Sequence, residues 1–141
     1  MSEERVPAPP EGFVLATGRG AFTTHNGPYF NRPRADDGVE QAFYALKRHC
    51  NGVGLIHGGM LSAFLDGLLA GAAAKPSGAT PVTVHLSIDF LDMGRAGEWV
   101  IGEAHAARVT RDIAFVEGRA HVGGRTLARA TGVFKLMKRR P

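Results

Sequence analysis

The stretch His57–Ala74, reading HGGMLSAFLDGLLAGAAA, constrains the fold most. Met60, Leu61, Phe64, Leu65, Leu68 and Leu69 repeat at helical spacing, and Ala63, Ala70 and Ala72–Ala74 fill between them. So little of it is polar that a helix here must be covered nearly all round. Lys75-Pro76-Ser77-Gly78 ends it. No apolar run is long and Gly-free enough to span a bilayer, since the richest, Met60–Ala74, is too short. The helix must therefore be covered by other parts of a chain of 141 residues, which fits one domain with one core.

The chain beyond the helix reads as strands. Val82, Val84, Leu86, Ile88 and Phe90 alternate with Thr83, His85, Ser87 and Asp89, a period of two. Met93–Gly97 is a turn, and Trp99–Val109 and Ile113–Val122 are two further strands. Gly123-Gly124 makes a tight hairpin into a last strand over Thr126–Met137. Strands joined by short turns pair antiparallel. An antiparallel sheet curled around one central helix is an α+β architecture. Before the helix the signal weakens. Phe13–Ala16 and Phe22–Phe30 read as an early strand or loop, Asn31–Gly38 as a charged turn region, and Val39–Leu46 fits a helix or a strand.

Residues 1–12 read as a loose leader before a single domain at 13–141, because the acidic, then Pro-rich start lacks the order of a signal peptide. The one cysteine, Cys50, forms no internal disulfide and suits a reducing cytoplasm; it reads as a small packed residue. The net charge of +4 is dispersed, with its dense cluster at Lys138-Arg139-Arg140. Without interleaved aromatics or clustered arginines, nucleic acid is not an expected partner. The six histidines show no helical ligand spacing and there is no cysteine pair, so no metal is expected. No phosphate-cradling or dinucleotide-binding glycine motif is present.

The candidate chemistry lies in Asn51–Asp66, NGVGLIHGGMLSAFLD. Two glycines stand where the helix begins, and a carboxylate stands about two turns inside it among leucines, where an unpaired charge is costly. The pattern Asn51-x-x-Gly54-x-x-His57-Gly58-Gly59-x6-Asp66 resembles the hot-dog-fold acyl-CoA thioesterases, in particular the phenylacetate-pathway (PaaI-like) group. Further matches are Val82-Thr83-Val84 with Ile88-Asp89-Phe90-Leu91, Arg95-Ala96-Gly97-Glu98, and Ala128-Arg129-Ala130-Thr131-Gly132-Val133-Phe134. The resemblance covers about Asn51 to Leu136. One departure is Thr110-Arg111-Asp112, where family members often carry Gly-Arg or Gly-Lys.

The resemblance implies the hot-dog fold, hydrolysis of an acyl- or aryl-CoA thioester to free acid and CoA, and an assembly of at least a homodimer, up to a homotetramer. No cofactor is needed, because CoA is part of the substrate and water is the second reactant. Gly58 and Gly59 admit a ligand close to the backbone, and their free N–H groups at a helix N-terminus suit an oxyanion hole. Asp66 would act as general base on water, or as nucleophile through an anhydride. Asn51 would orient the water or the carbonyl. Thr83 would hold the water from the polar face of its strand, a face His85 could share. His57 would cap the helix or pack beside the thioester. Arg95 and Arg111 are candidate CoA contacts by their turn positions.

Asp66 lies eight residues after Gly58, roughly 12 Å along a helix. One chain cannot bring both to a single thioester carbon. Two antiparallel helices side by side would, so the spacing argues for a site shared between subunits. Rival readings are a non-catalytic acyl-CoA-binding or regulatory module, and a dehydratase on the same fold, which would want an Asp/His pair placed for α-proton removal.

Overall fold

A computed structural model describes residues 4–138 of the chain. In chain order its elements are β1 (Val14–Leu15), α1 (Ala21–Asn26), β2 (Tyr29–Arg32), β3 (Val39–Tyr44), a short 3-10 turn (Lys47–His49), α2 (Gly58–Ser77), β4 (Thr80–Phe90), β5 (Trp99–Val109), β6 (Ile113–Val122) and β7 (Arg125–Met137). The strands form one antiparallel sheet in the order β1-β2-β3-β5-β6-β7-β4. α2 packs against β3, β4, β5, β6 and β7. This is the sheet-around-helix architecture that the periodicities predict.

α2 buries one broad face, while the other, carrying Ser62, Ala63, Asp66, Gly67, Ala70, Gly71 and Ala74, is only partly covered within the chain, short of the nearly all-round cover its sequence predicts. Met60, Leu61, Phe64, Leu65, Leu68, Leu69, Ala72 and Ala73 are all buried. It runs three residues past Ala74, taking Pro76 into its last turn. The stop is Gly78, whose left-handed φ of 66° suits glycine, and whose N–H reaches Ala74 O at 2.8 Å.

Three strand positions facing the helix carry no side chain, and helix side chains occupy the space beside them. A Cβ on Gly102 (β5) would stand 2.7 Å from Leu68 Cδ2 and 2.8 Å from the Phe64 ring. One on Gly118 (β6) would stand 3.1 Å from Leu69 Cδ1, and one on Gly132 (β7) 3.1 Å from Leu69 Cδ2. Leu68 and Leu69 fill the space those side chains would take, so a larger residue at any of the three positions would overpack the core.

Val39–Tyr44 resolves as a strand with both faces covered, which is why its apolar spacing does not alternate. Phe43 meets Phe64 edge-on at 4.8 Å, while Ala42 packs on the other face under Phe13 and Phe30. The early region corrects the strand-or-loop expectation in part: it holds the six-residue helix α1 as well as β1 and β2. The loose-leader expectation also needs correction. Val6 packs against a small outer cluster with Trp99 and Ile101, and Glu4 accepts from Arg48 N at 3.2 Å. Residues 1–3, and the Arg139-Arg140 part of the basic C-terminal cluster, lie outside the described residues.

β4 is an edge strand, paired only with β7. Its register shifts between Thr83 and His85. Thr83 stands opposite Phe134, which faces the core, whereas His85 stands opposite Val133 and Leu86 opposite Gly132. Val84 takes up the irregularity and is 65% exposed. The strand therefore presents Leu86, Ile88 and Phe90 on one side, yet also turns Thr83 to that side.

Candidate active site

The start of α2 is organised by Asn51 and His57. Asn51 Oδ1 accepts from Val53 N at 3.0 Å and from Leu55 N at 3.1 Å, folding the entry loop around itself. His57 is the N-cap: its Nδ1 accepts from Gly59 N at 2.8 Å. That bond fixes the imidazole with Nδ1 unprotonated. It also corrects part of the oxyanion-hole expectation, because the Gly59 N–H is already engaged. The Gly58 N–H takes no partner among the described residues. A Cβ on Gly58 would meet the Phe90 ring only at 3.6 Å, ordinary contact, whereas one on Gly59 would lie 2.9 Å from His57 Nδ1.

Asp66 lies two turns further on, half-buried, and it is paired. Thr83 Oγ1 donates to Asp66 Oδ1 at 2.6 Å. Thr83 thus reaches Asp66 from the helix side of β4 and not from the polar face of the strand. The irregularity at Val84 makes this possible, and it sends His85 to the outer face, away from Asp66. Asn51, His57, Gly58 and Gly59 gather at the helix start. Asp66 and Thr83 form a second group, roughly two turns away along the same helix.

Beside Asp66 is a cavity of about 80 Å³, lined by Arg19, Phe22, Thr23, Tyr29, Gln41 and Phe64 among others. Burial pushes the Tyr29 phenol up from its ordinary value, so it stands neutral. Burial also pulls the Arg19 guanidinium down. Sequence reasoning missed Arg19 and Tyr29 as parts of a site. They come from the N-terminal segment, forty or so residues upstream, and their one local mark is the Gly18-Arg19-Gly20 triplet, whose glycines take φ of 68° and 84°.

Arg95 and Arg111 are not brought together. Arg95 pairs through its backbone with Leu55 beside the helix entry, and its N–H reaches Glu98 Oε1 at 2.7 Å. Arg111 is exposed on the β5–β6 turn, near the start of β4: Leu136 N bonds the neighbouring Asp112 O at 2.8 Å, and Leu136 faces Pro81. Among the described residues no three His, Cys, Asp or Glu side chains gather where a metal ion could be held. No helix among them is long and apolar enough to cross a membrane.

The family model for the "Thioesterase superfamily" matches residues 53–128, a span that includes the helix entry, Asp66 and Thr83. The chain belongs to the thioesterase superfamily. It is a hydrolase acting on thioesters. A Pseudomonas aeruginosa protein, PA0474, whose name places it provisionally among esterases, is 35% identical over 129 residues, covering 90% of this chain and 96% of that one. Among solved structures, the Escherichia coli PaaI protein of the phenylacetic acid degradation operon superposes with a TM-score of 0.77 at 18% identity, covering 84% of this chain and 86% of that one. A Streptococcus pneumoniae protein, named a hypothetical thioesterase and solved with coenzyme A, gives 0.74 at 19% identity, covering 80% and 88%. These two likenesses establish the hot-dog fold for this member of the superfamily.

Proposed function

We propose that the protein hydrolyses the thioester of an acyl- or aryl-CoA to free acid and CoA, at a site shared between two subunits. The observation that carries this reading is the Asp66–Thr83 pair, a carboxylate held by a hydroxyl on a helix face beside a cavity. The coenzyme A bound by the Streptococcus pneumoniae relative supports the CoA part of the substrate. That protein has also been solved with an aspartate and, separately, a threonine replaced by alanine.

In the proposed reaction, the thioester carbonyl lies at the start of α2 of one subunit. The Gly58 N–H, reinforced by the helix dipole, receives the negative charge that develops on the carbonyl oxygen. The Asn51 amide N–H group points at the carbonyl or the water, since its Oδ1 is committed to the entry loop. His57 holds the entry in shape as its cap. Asp66 of the other subunit supplies the base or nucleophile. As base it takes a proton from water while the oxygen attacks the carbonyl carbon. The C–S bond then breaks, and the CoA sulfur leaves as thiolate and is protonated. As nucleophile it forms an anhydride that water opens. Thr83 acts through Asp66, fixing which carboxylate oxygen is free.

The second subunit is suggested by β4. This edge strand is eleven residues long, with Val82, Val84 and Phe90 exposed, and Leu91 and Met93 beyond it also exposed. An open edge of that length and character is a template for another strand. Pairing two β4 edges about a two-fold axis would join the sheets and set the two α2 helices antiparallel. A homodimer is the minimum assembly, and a homotetramer is compatible with it. The CoA moiety would run over the surface near Arg95 of one subunit and Arg111 of the other. We place the protein in the cytoplasm, where acyl-CoA esters are made and used.

The test is release of free thiol from a panel of acyl- and aryl-CoA esters. The reading requires turnover of at least one ester class, with loss of turnover in Asp66→Ala. Binding of CoA esters without turnover would replace it with a binding module.

A further inference from the structure

The cavity beside Asp66 does not end at its own walls. Arg19, Gln41 and Gly67 line it and also line a groove of about 520 Å³ that runs along α2 past Gly71 and Ala74. Those three residues form the partition between the two spaces. Gly67 lets the guanidinium lie on the helix, since a Cβ there would stand 3.1 Å from Arg19 Nη2. On its other side the guanidinium rests over the Tyr29 ring at 6.0 Å.

Arg19 is held in place by packing, yet among the described residues it lacks a carboxylate partner. Its Nη1 is buried with no hydrogen-bond partner among the described residues. Arg32, Arg34, Arg48, Arg119, Arg125 and Arg129 each pair with a carboxylate, but among the described residues Arg19 has none within 4 Å. A buried, unsatisfied charged donor is costly, and natural structures keep one where a ligand supplies the acceptor. Arg19 and Asp66 both line the small cavity, so a ligand bound there could reach both side chains.

We propose that Arg19 is a specificity residue for the acyl group, and that the preferred substrates are CoA thioesters whose short acyl chain ends in a carboxylate. This rests on the thioesterase reading. With the thioester carbon at Asp66, the acyl chain enters the cavity, and its terminal carboxylate meets Arg19 Nη1, with Gln41 and Thr23 also in the cavity wall. The guanidinium offsets the repulsion between that carboxylate and Asp66. The cavity volume suits a short chain end and not a long aliphatic tail.

The experiment compares kcat/KM for glutaryl-CoA against pentanoyl-CoA, and adipoyl-CoA against hexanoyl-CoA, for wild type, Arg19→Met and Arg19→Lys. The proposal expects wild type to prefer the carboxylated member of each pair. In Arg19→Met that preference falls about 10- to 100-fold, through KM more than kcat, and Arg19→Lys restores part of it. A preference retained in Arg19→Met, with both esters slowed alike, would mean that Arg19 only packs the N-terminal segment, and overturns the proposal. So would wild type preferring the unsubstituted esters; the thioesterase reading survives either result. If wild type turns over neither kind while the wider panel also fails, both readings fall together.

Discussion

Thr83 Oγ1 donates to Asp66 Oδ1 across 2.6 Å, and this bond joins the central helix to the open edge strand of the sheet. It exists because β4 changes register at Val84. Without that irregularity Thr83 would share the outer face with His85, Ser87 and Asp89, and Asp66 would lose this bond. The bond leaves Asp66 Oδ2 for other chemistry. Thr83→Val removes the donor at nearly constant volume and is expected to lower kcat about tenfold or more, with Thr83→Ser recovering most of it. Equal rates for the valine and serine variants would show that the hydroxyl does not position Asp66.

The two glycines at the helix start should separate. A methyl on Gly58 meets only the Phe90 ring at 3.6 Å, so Gly58→Ala should fold normally and lose activity through its intrusion beside the free N–H. A methyl on Gly59 collides with the cap at His57 Nδ1, 2.9 Å away. Gly59→Ala should therefore lose about 1 kcal/mol of stability as well as activity. Thermal denaturation beside initial rates for both variants checks the distinction.

A shared site predicts complementation between dead subunits. Asp66→Asn and Gly58→Val homodimers should each be inactive. A mixed dimer of the two carries one site with wild-type Asp66 and wild-type Gly58, so activity should return on mixing and refolding. No recovery, with mixed dimers demonstrated by a mass tag, would place the whole site within one chain.

The packing of α2 over the strand glycines predicts an ordering in stability. Gly102→Ala and Gly132→Ala place a methyl within 2.8 Å of buried side chains and should each cost about 1–3 kcal/mol by overpacking. Gly124→Ala, with nothing near its Cβ position, should be close to neutral. Urea denaturation midpoints test the ordering.

His49 predicts a pH effect on stability. Its Nδ1 accepts from Leu46 N at 3.0 Å, so its Nε2–H donates to Asn26 O at 2.8 Å, and the ring is buried and neutral. Burial, and then the neighbouring Arg48 charge, hold its pKa below the ordinary 6.5. As pH falls through 6.5 the unfolded chain gains a proton at His49 that the folded chain refuses, so stability falls until the lower folded value is reached. Above that window both states are neutral and the group makes no pH-dependent contribution. Denaturation at pH 7 and pH 5 should show a larger acid loss in wild type than in His49→Gln. An equal loss would assign the acid sensitivity elsewhere.

The legible parts of this chain were those with strong periodicity. The helix is set by six large apolar residues between Met60 and Leu69, and β4 to β7 by alternation and the Gly123-Gly124 turn. α1 escaped because six residues are too few to show a period. Asp66 and the helix-start glycines were legible as chemistry because each is misplaced in an ordinary apolar helix. The side to which Thr83 points was not, because Val84 continues the apolar alternation through the point where the strand breaks register. The cavity wall was not either: Arg19, Tyr29 and Gln41 reach Asp66 only through tertiary packing of a segment whose local sequence carries little signal.

The most direct measurement is kcat for thiol release from the best CoA ester, wild type against Asp66→Asn, with folding and assembly state checked for both. The account predicts a loss of about 100-fold or more with fold and assembly unchanged. An Asp66→Asn protein that turns over within about threefold of wild type would contradict it, leaving a thioesterase whose chemistry lies elsewhere.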